Sequence, residues 1–270
     1  MTGIGKKVSS VVRWIKEKIT ESGARGGVVG LSGGVDSAVV AALVKKAAGG
    51  NHLCLAMPCG SSIRDMKDAA SVAGKFHLKF RVVDISRIYE VFIKTLSAVD
   101  IDSGHRSHRR GFPRAGYGLS EANLKPRIRM ATLYYFANRL NYLVVGTGNK
   151  SELSVGYFTK YGDGGVDILP LGGFYKSEVV AMAEYLGVPR SVIEKPPSAG
   201  LWEGQTDEGE MGITYDDLEK ILRAVCRDGN SGYIGLGNFP SGIDGLLVKK
   251  VVDMYNRSAH KRALPEIFRP

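Results

Sequence analysis

The chain has 270 residues, with 37 Lys and Arg against 27 Asp and Glu, a formal net charge of +10 and 44% hydrophobic residues. That length suits one large domain or two small ones and buries a core without disulfides or a structural metal, and the composition excludes a disordered or fibrous chain. No apolar run approaches a membrane span, and Lys16, Glu17 and Lys18 interrupt the stretch a signal peptide would need, so a soluble cytoplasmic protein is expected.

The cationic excess points to anionic partners: nucleic acid, an acidic membrane surface or phosphorylated small molecules. Cys54, Cys59 and Cys226 are too few for a disulfide scaffold, and none stands in a C-x-x-C pair. The 35 glycines cluster in 26–34, 145–149, 161–165 and 233–238. Glycine gathered in that way suits loops that bring backbone against a ligand.

In chain order, Val8, Val11, Val12, Ile15 and Ile19 recur at helical spacing, giving a first helix to about Ser22. A buried strand is expected at Gly27–Ser32, a helix at Ser37–Ala48, a strand at Leu53–Met57 and a helix from Ile63 to Phe76. Strand Phe80–Ile85 and helix Ile88–Ala98 follow. This alternation predicts a parallel sheet covered on both faces. Residues 100–123, rich in Gly, Arg and His, read as a long loop. A helix resumes near Pro126, with Met130, Leu133, Ala137 and Leu140 along one face, and Tyr142–Gly146 is another strand. Residues 147–170 read as glycine-rich loop, Tyr175–Leu186 as helix and 198–212 as polar loop. Two helices close the chain, about Tyr215–Arg227 and Ile243–Ala259, and with no linker in sight a single domain over 1–270 is expected.

The strongest local signal is GVVGLSGGVDS at 27–37, a buried strand running through Ser32-Gly33-Gly34-Val35-Asp36-Ser37 into a helix. Free N–H groups and the helix dipole at such a junction attract phosphate. The loop lacks the Gly-Lys-Ser/Thr ending of a Walker A motif, so kinase-type phosphoryl transfer is not indicated. Asp36 is the oddity. A carboxylate beside phosphate is repulsive unless a divalent cation lies between them.

Ser-Gly-Gly-x-Asp-Ser in this setting resembles the pyrophosphate loop of the ATP pyrophosphatase group, which cleaves ATP between its α- and β-phosphates. GTGNKSE at 146–152, GYFTKYGDGGVDILPL at 156–171, LGVP at 186–189, KPPSAGLWEGQTDEGEMGITYDDL at 195–218 and His260-Lys261-Arg262 together resemble the NAD synthetase family. The resemblance implies an α/β fold, a Rossmann-like parallel sheet with helices on both faces of the adenine nucleotide alpha hydrolase type, closed by C-terminal helices. It also implies a ligase that uses ATP and Mg²⁺ to join ammonia to the nicotinate carboxylate of deamido-NAD.

Carried over by residue, the resemblance puts ATP on Gly30, Leu31, Ser32, Gly33, Gly34, Val35, Asp36, Ser37, Thr147, Lys176 and Ser198. Asp36 and Lys176 are the implied catalytic pair, and Asp36 and Glu152 the implied Mg²⁺ ligands. Deamido-NAD falls to Arg127, Lys160, Asp167, His260 and Lys261. Arg127, three residues before Met130, is expected on the apolar face of its helix, where an anion would satisfy it. Lys176 at a helix start is unfavourable by dipole logic without an anion nearby. Asp163 or Asp167 is a conceivable helper in deprotonating ammonium, and nothing in the spacing selects between them.

The resemblance occupies the whole chain and leaves no amidase domain, so free ammonia is the expected nitrogen donor and a homodimer the expected assembly. Two rivals keep nucleic acid in view: a tRNA-thiolating relative, and a binding module built on Arg106, Arg109, Arg110, Phe112 and Arg114. Cys54 and Cys59, five apart near one strand, are expected to face opposite sides as small buried hydrophobes, which disfavours the thiolating chemistry. The expected partners are therefore small molecules, with neither nucleic acid nor membrane.

Overall fold

A computed structural model describes residues 3–99, 118–202, 204–225 and 243–268. The basic segment 106–114 and Cys226 lie outside the described residues. The first half runs α1 (Gly3–Glu21), β1 (Gly26–Gly30), α2 (Val35–Ala48), β2 (His52–Ala56), α3 (Ile63–Lys75), β3 (Phe80–Val82) and α4 (Ser86–Ser97). The second runs α5 (Leu119–Ala122), α6 (Leu124–Leu140), β4 (Tyr142–Val144), α7 (Lys150–Val155), α8 (Lys176–Leu186), α9 (Arg190–Ile193), α10 (Asp207–Met211), α11 (Tyr215–Val225) and α12 (Gly245–Arg257).

The four strands pair in parallel in the order β3-β2-β1-β4. The chain builds outward from β1 through β2 to β3, then returns to place β4 on the other side of β1. That reversal opens a crevice beyond the C-terminal ends of β1 and β4, where parallel α/β sheets bind ligands.

Side-chain alternation explains the two covered faces. Val29 and Cys54 point into a core shared with α1, α2, α3 and α8, built on residues such as Ile15, Leu43, Val72 and Met182. Val28 and Leu55 point the other way, against Tyr89 of α4 and Ile128 and Ala137 of α6. A third cluster joins Val155 to Leu218, Ile221, Val248 and Val251 of the closing helices. The α/β, Rossmann-like reading therefore holds. Cys54 and Cys59 fall in different clusters, and burial raises both thiols, Cys54 to about 12. Neither is poised as a nucleophile. No helix among the described residues is long and apolar enough to cross a membrane.

Three departures concern short helices. α5 occupies the end of the stretch expected as loop, α7 lies inside 147–170 and α10 inside 198–212. At four to six residues they are too short for an apolar period and depend on local capping instead. Asn149 forms a reciprocal capping box with Glu152 on α7, and Thr206 accepts the Gly209 N–H on α10.

His52 shows what burial does inside the sheet. Its Nδ1 lies 2.7 Å from the Gly49 carbonyl, and its Nε2 accepts the Lys79 N–H at 2.9 Å. The ring is therefore the neutral Nδ1–H tautomer, and burial lowers its pKa below the ordinary 6.5. The unfolded chain takes the proton more readily, so this contribution to stability is present above pH 6.5 and is lost as pH falls below it. Denaturant midpoints measured from pH 7 to 5 should decline, and His52→Gln, which keeps one donor and one acceptor, should flatten that decline.

Candidate active site

β1 ends at Gly30 and α2 begins at Val35, so residues 31–34 make the whole turn. Gly33 has φ +82°, and a Cβ there would stand 2.4 Å from the Asp65 carbonyl oxygen, so only glycine fits. Inside the turn the Ser32 and Ser37 hydroxyls lie 3.1 Å apart, Ser37 Oγ donates to the Gly34 carbonyl and the Gly34 N–H donates to Ser32 Oγ. Gly34 at the N-cap provides no side-chain cap for α2. A 14-residue helix thus presents an uncapped N-terminus beside a glycine turn, which is an anion site in physical terms.

Lys195 locks the turn from outside. Its Nζ donates to the Gly33 carbonyl at 3.1 Å and contacts Asp65 and Asp68 of α3 at 2.6 and 2.8 Å. Burial opposes ionisation of Asp65, but the hydrogen bonds from Lys195 and Ser62 outweigh it and hold the carboxyl below its ordinary value. The one carbonyl that would repel phosphate is thereby turned toward a cation.

Behind the turn lies a buried charge cluster. Lys176, at the first position of α8, is 6% exposed and makes a close ion pair with Asp36, with Glu152 Oε1 3.7 Å away. Burial works against its charge, yet Asp36 and Glu152 overcome that and raise its pKa. These anions answer the dipole objection to a lysine at a helix start. Asn149 Nδ2 donates to Asp36 Oδ1 at 2.9 Å. Tyr215 donates to Asp207 at 3.0 Å, and its hydroxyl lies 3.4 Å from Glu152. Burial, then Asp36, pushes Glu152 up to about 8 against the pull of Lys176, and burial raises Asp207. Asp207 Oδ1 is buried without a hydrogen-bond partner.

Three carboxylates therefore face one ammonium beside an anion-binding turn. That excess of negative charge, with an orphaned carboxylate oxygen in it, suits an added cation. Among the described residues no three acidic, His or Cys side chains converge to hold an ion alone. Mg²⁺ keeps waters and substrate oxygens and takes only one or two carboxylates from protein. Asp36 and Glu152, sharing Lys176, fit that role. A cleft of about 330 Å³ adjoins the cluster, lined by Val35, Lys176, Lys195, Pro197, Glu208 and Tyr215.

The other expected residues are placed unevenly. Thr147 follows β4, half-buried and two residues before Asn149, while Ser198 is exposed and accepts the Gly200 N–H. Lys160 Nζ donates to the His260 carbonyl, and Arg127 Nη2 reaches the Lys160 carbonyl at 3.5 Å, so these three converge. Lys261 donates to the carbonyls of Gly156 and Phe158, both at 2.8 Å. Gly156 permits that approach, because a Cβ there would lie 2.1 Å from Ser258 Cβ.

One expectation needs revision. Arg127 is exposed, because α6 turns Pro126, Ile128 and Ala137 inward and leaves residue 127 outside. Asp167 has both oxygens engaged, accepting the Tyr134 hydroxyl at 2.9 Å and the Val144 N–H at 2.7 Å, which fastens the second loop to β4. Asp163 accepts the Thr159 N–H, and burial raises its pKa. Asn149, Lys195, Asp207 and Tyr215 were missed. Only Asn149 carried a readable signal, since Asn-x-x-Glu at 149–152 is a capping-box pattern.

A family model described as NAD synthase matches residues 7–265. The chain belongs to the NAD synthase family. It is 45% identical over 262 residues to the NH(3)-dependent NAD(+) synthetase of Carboxydothermus hydrogenoformans, covering 97% of this chain and 96% of that protein. Among solved structures it resembles an NMN synthetase from Francisella tularensis (TM-score 0.82, 32% identity, 99% of each chain). It also resembles an NH3-dependent NAD synthetase from Campylobacter jejuni in complex with the nitrate ion (TM-score 0.73, 32% identity, 100% of each chain). In this NAD synthase chain the buried ion pair of Asp36 with Lys176 is a structural element in its own right. Lys176→Met leaves buried carboxylates facing one another and should lower stability by about 3–5 kcal/mol. Adding Asp36→Asn should recover part of that loss, read as a coupling energy in a double-mutant denaturation cycle.

Proposed function

We infer that this chain is an ammonia-dependent NAD synthetase, a ligase that amidates deamido-NAD at the expense of ATP in NAD biosynthesis. The observation that carries the reading is the uncapped start of α2 at the Ser32-Gly33-Gly34 turn, joined through Asp36 to Lys176 and Glu152.

A carboxylate resists ammonia because its charge suppresses electrophilicity and oxide is a poor leaving group. Adenylation removes both obstacles. A nicotinate oxygen attacks the α-phosphorus and pyrophosphate leaves; ammonia then attacks the acyl adenylate and AMP departs. N–H groups of the turn, with Ser32 and Ser37, receive the β- and γ-phosphates as their charge grows, an electrostatic stabilisation that needs no reorganisation. Lys176 faces the same charge. Asp36 and Glu152 would hold Mg²⁺, which supplies charge neutralisation on the departing pyrophosphate. Thr147 and Ser198 complete the ATP site, and Arg127, Lys160, Asp167, His260 and Lys261 are read as the deamido-NAD site. No side-chain nucleophile is required, so catalysis rests on positioning and charge.

We read the chain as a single cytoplasmic domain acting as a homodimer. The apolar residues Ile88, Val91, Phe92 and Leu96 of α4, at helical spacing, are 47–58% exposed. A contiguous apolar face of this kind is the physical mark of an interface. The Francisella structure, with its TM-score of 0.82, favours one alternative, in which the mononucleotide rather than the dinucleotide is amidated.

Purified protein with ATP, Mg²⁺, ammonium and deamido-NAD should yield NAD, AMP and pyrophosphate, and chelation should stop it. ADP and phosphate as products would overturn the reading. Faster amidation of nicotinate mononucleotide would favour the alternative, and equal turnover with glutamine alone would remove the ammonia assignment. Light scattering should give twice the chain mass, and Phe92→Glu should shift it to the monomer.

A further inference from the structure

The argument that an inward-turned guanidinium calls for an anion, which fails for Arg127, applies two residues further along α6. Arg129 is half-buried, and its Nε donates to the Met57 carbonyl at 3.1 Å. No carboxylate among the described residues pairs with it, and its two Nη groups have no acceptor among those residues. Guanidinium carries five donors, so one carbonyl leaves most of its capacity and all of its charge uncompensated. Burial lowers its pKa, with Cys59, Asp163 and Asp65 the groups that act against that trend. Both acids are already engaged, Asp65 by Lys195 and Asp163 by the Thr159 N–H. Lys125, four residues earlier on α6, reinforces the positive charge and donates to the Leu201 carbonyl. A half-buried cation with no carboxylate partner and free, accessible Nη donors is a ready receiver for an arriving anion.

Its location says which anion. Met57 directly follows β2, and its methyl stands 3.4 Å from where a Cβ of Gly30 would be, with Leu133 of α6 at 3.7 Å. Arg129 is therefore anchored, through Met57, beside the last residue of β1, immediately before the phosphate turn and at the C-terminal edge of β1 and β2. Leu201, beside Lys125, belongs to the segment that begins at Ser198. The charges facing this region are Lys125 on α6, Asp65 on α3, Asp163 in the loop after α7 and the Cys59 thiol after β2.

Resting on the NAD synthetase reading, we propose that Arg129 is a substrate-binding residue that receives an oxyanion of the reacting centre. The chemistry it recognises is a single anionic oxygen pair, which the α-phosphate of ATP and the nicotinate carboxylate both present. Its bidentate face suits either, and in both cases charge at that position changes during adenylation. A structural strut would need only the bond to Met57, whereas an anion site needs the charge.

Arg129→Gln separates these roles, because the amide still donates to the Met57 carbonyl while the charge is gone. The variant should unfold at a denaturant concentration equal to or above the wild type, since a half-buried cation with no carboxylate partner has been removed. Its kcat/KM should fall at least 100-fold, and Arg129→Lys should regain part of that. Calorimetric titration identifies the anion. A tenfold or greater loss of affinity for AMP and α,β-methylene-ATP, with pyrophosphate and deamido-NAD unchanged, assigns the α-phosphate. A similar loss for deamido-NAD, with NAD unchanged, assigns the carboxylate. The proposal is overturned if Arg129→Gln is less stable than wild type, if its kcat/KM stays within twofold, or if pyrophosphate binding weakens equally. Wild-type protein that makes no AMP from ATP and deamido-NAD would instead sink the underlying function.

Discussion

The ion pair of Asp36 with Lys176 ties together elements that are distant in sequence. Asp36 stands in the first turn of α2 and Lys176 at the first position of α8, 140 residues apart. Each is unfavourable alone: a carboxylate repels the phosphate that the turn is built to hold, and a lysine opposes the dipole of its own helix. Together they neutralise one another in a buried setting where removing either partner leaves a stranded charge. Asn149 and Glu152 bring α7 to the same pair, and Tyr215 and Asp207 connect it to α10 and α11. The phosphate turn and the C-terminal helices thus share one electrostatic centre.

Backbone proximity sets the second constraint. Gly33 lets the turn press against α3, and Lys195 then takes the Gly33 carbonyl together with Asp65 and Asp68. Carbonyl oxygens are thereby held by a cation while N–H groups at the start of α2 stay uncapped. This preorganisation leaves the junction's free donors aimed as an anion would need them. Lys195 also begins the Pro-Pro-Ser segment, so the same lysine relates the turn to Ser198 in the expected nucleotide site.

The second half of the site shows how function and scaffold use the same residues. Lys261 caps carbonyls at the end of α7, Arg262 donates to the Ser154 carbonyl at 2.8 Å, and Asp167 fastens its loop to β4. A residue carried over by resemblance as a ligand contact can therefore also hold backbone. Arg129 is the converse, a half-buried charged side chain that no resemblance singled out and to which the described scaffold supplies no carboxylate.

Much was legible in the sequence because its signals are local. Apolar runs and helical periods located the four strands and the long helices, and Ser-Gly-Gly-x-Asp-Ser at a strand-to-helix junction marked the anion site. Short α5, α7 and α10 were not legible, since four to six residues hold no period and their stability comes from caps and neighbours. The sequence by itself determined the α/β class, the phosphate turn and the family. Only the tertiary structure decided which charges meet, pairing Asp36 with Lys176, setting Lys195 under Gly33, and exposing Arg127 while turning Arg129 partly inward. The reason is physical: local pattern governs which element forms, but the burial and partners of a charge depend on how elements far apart in the chain pack together.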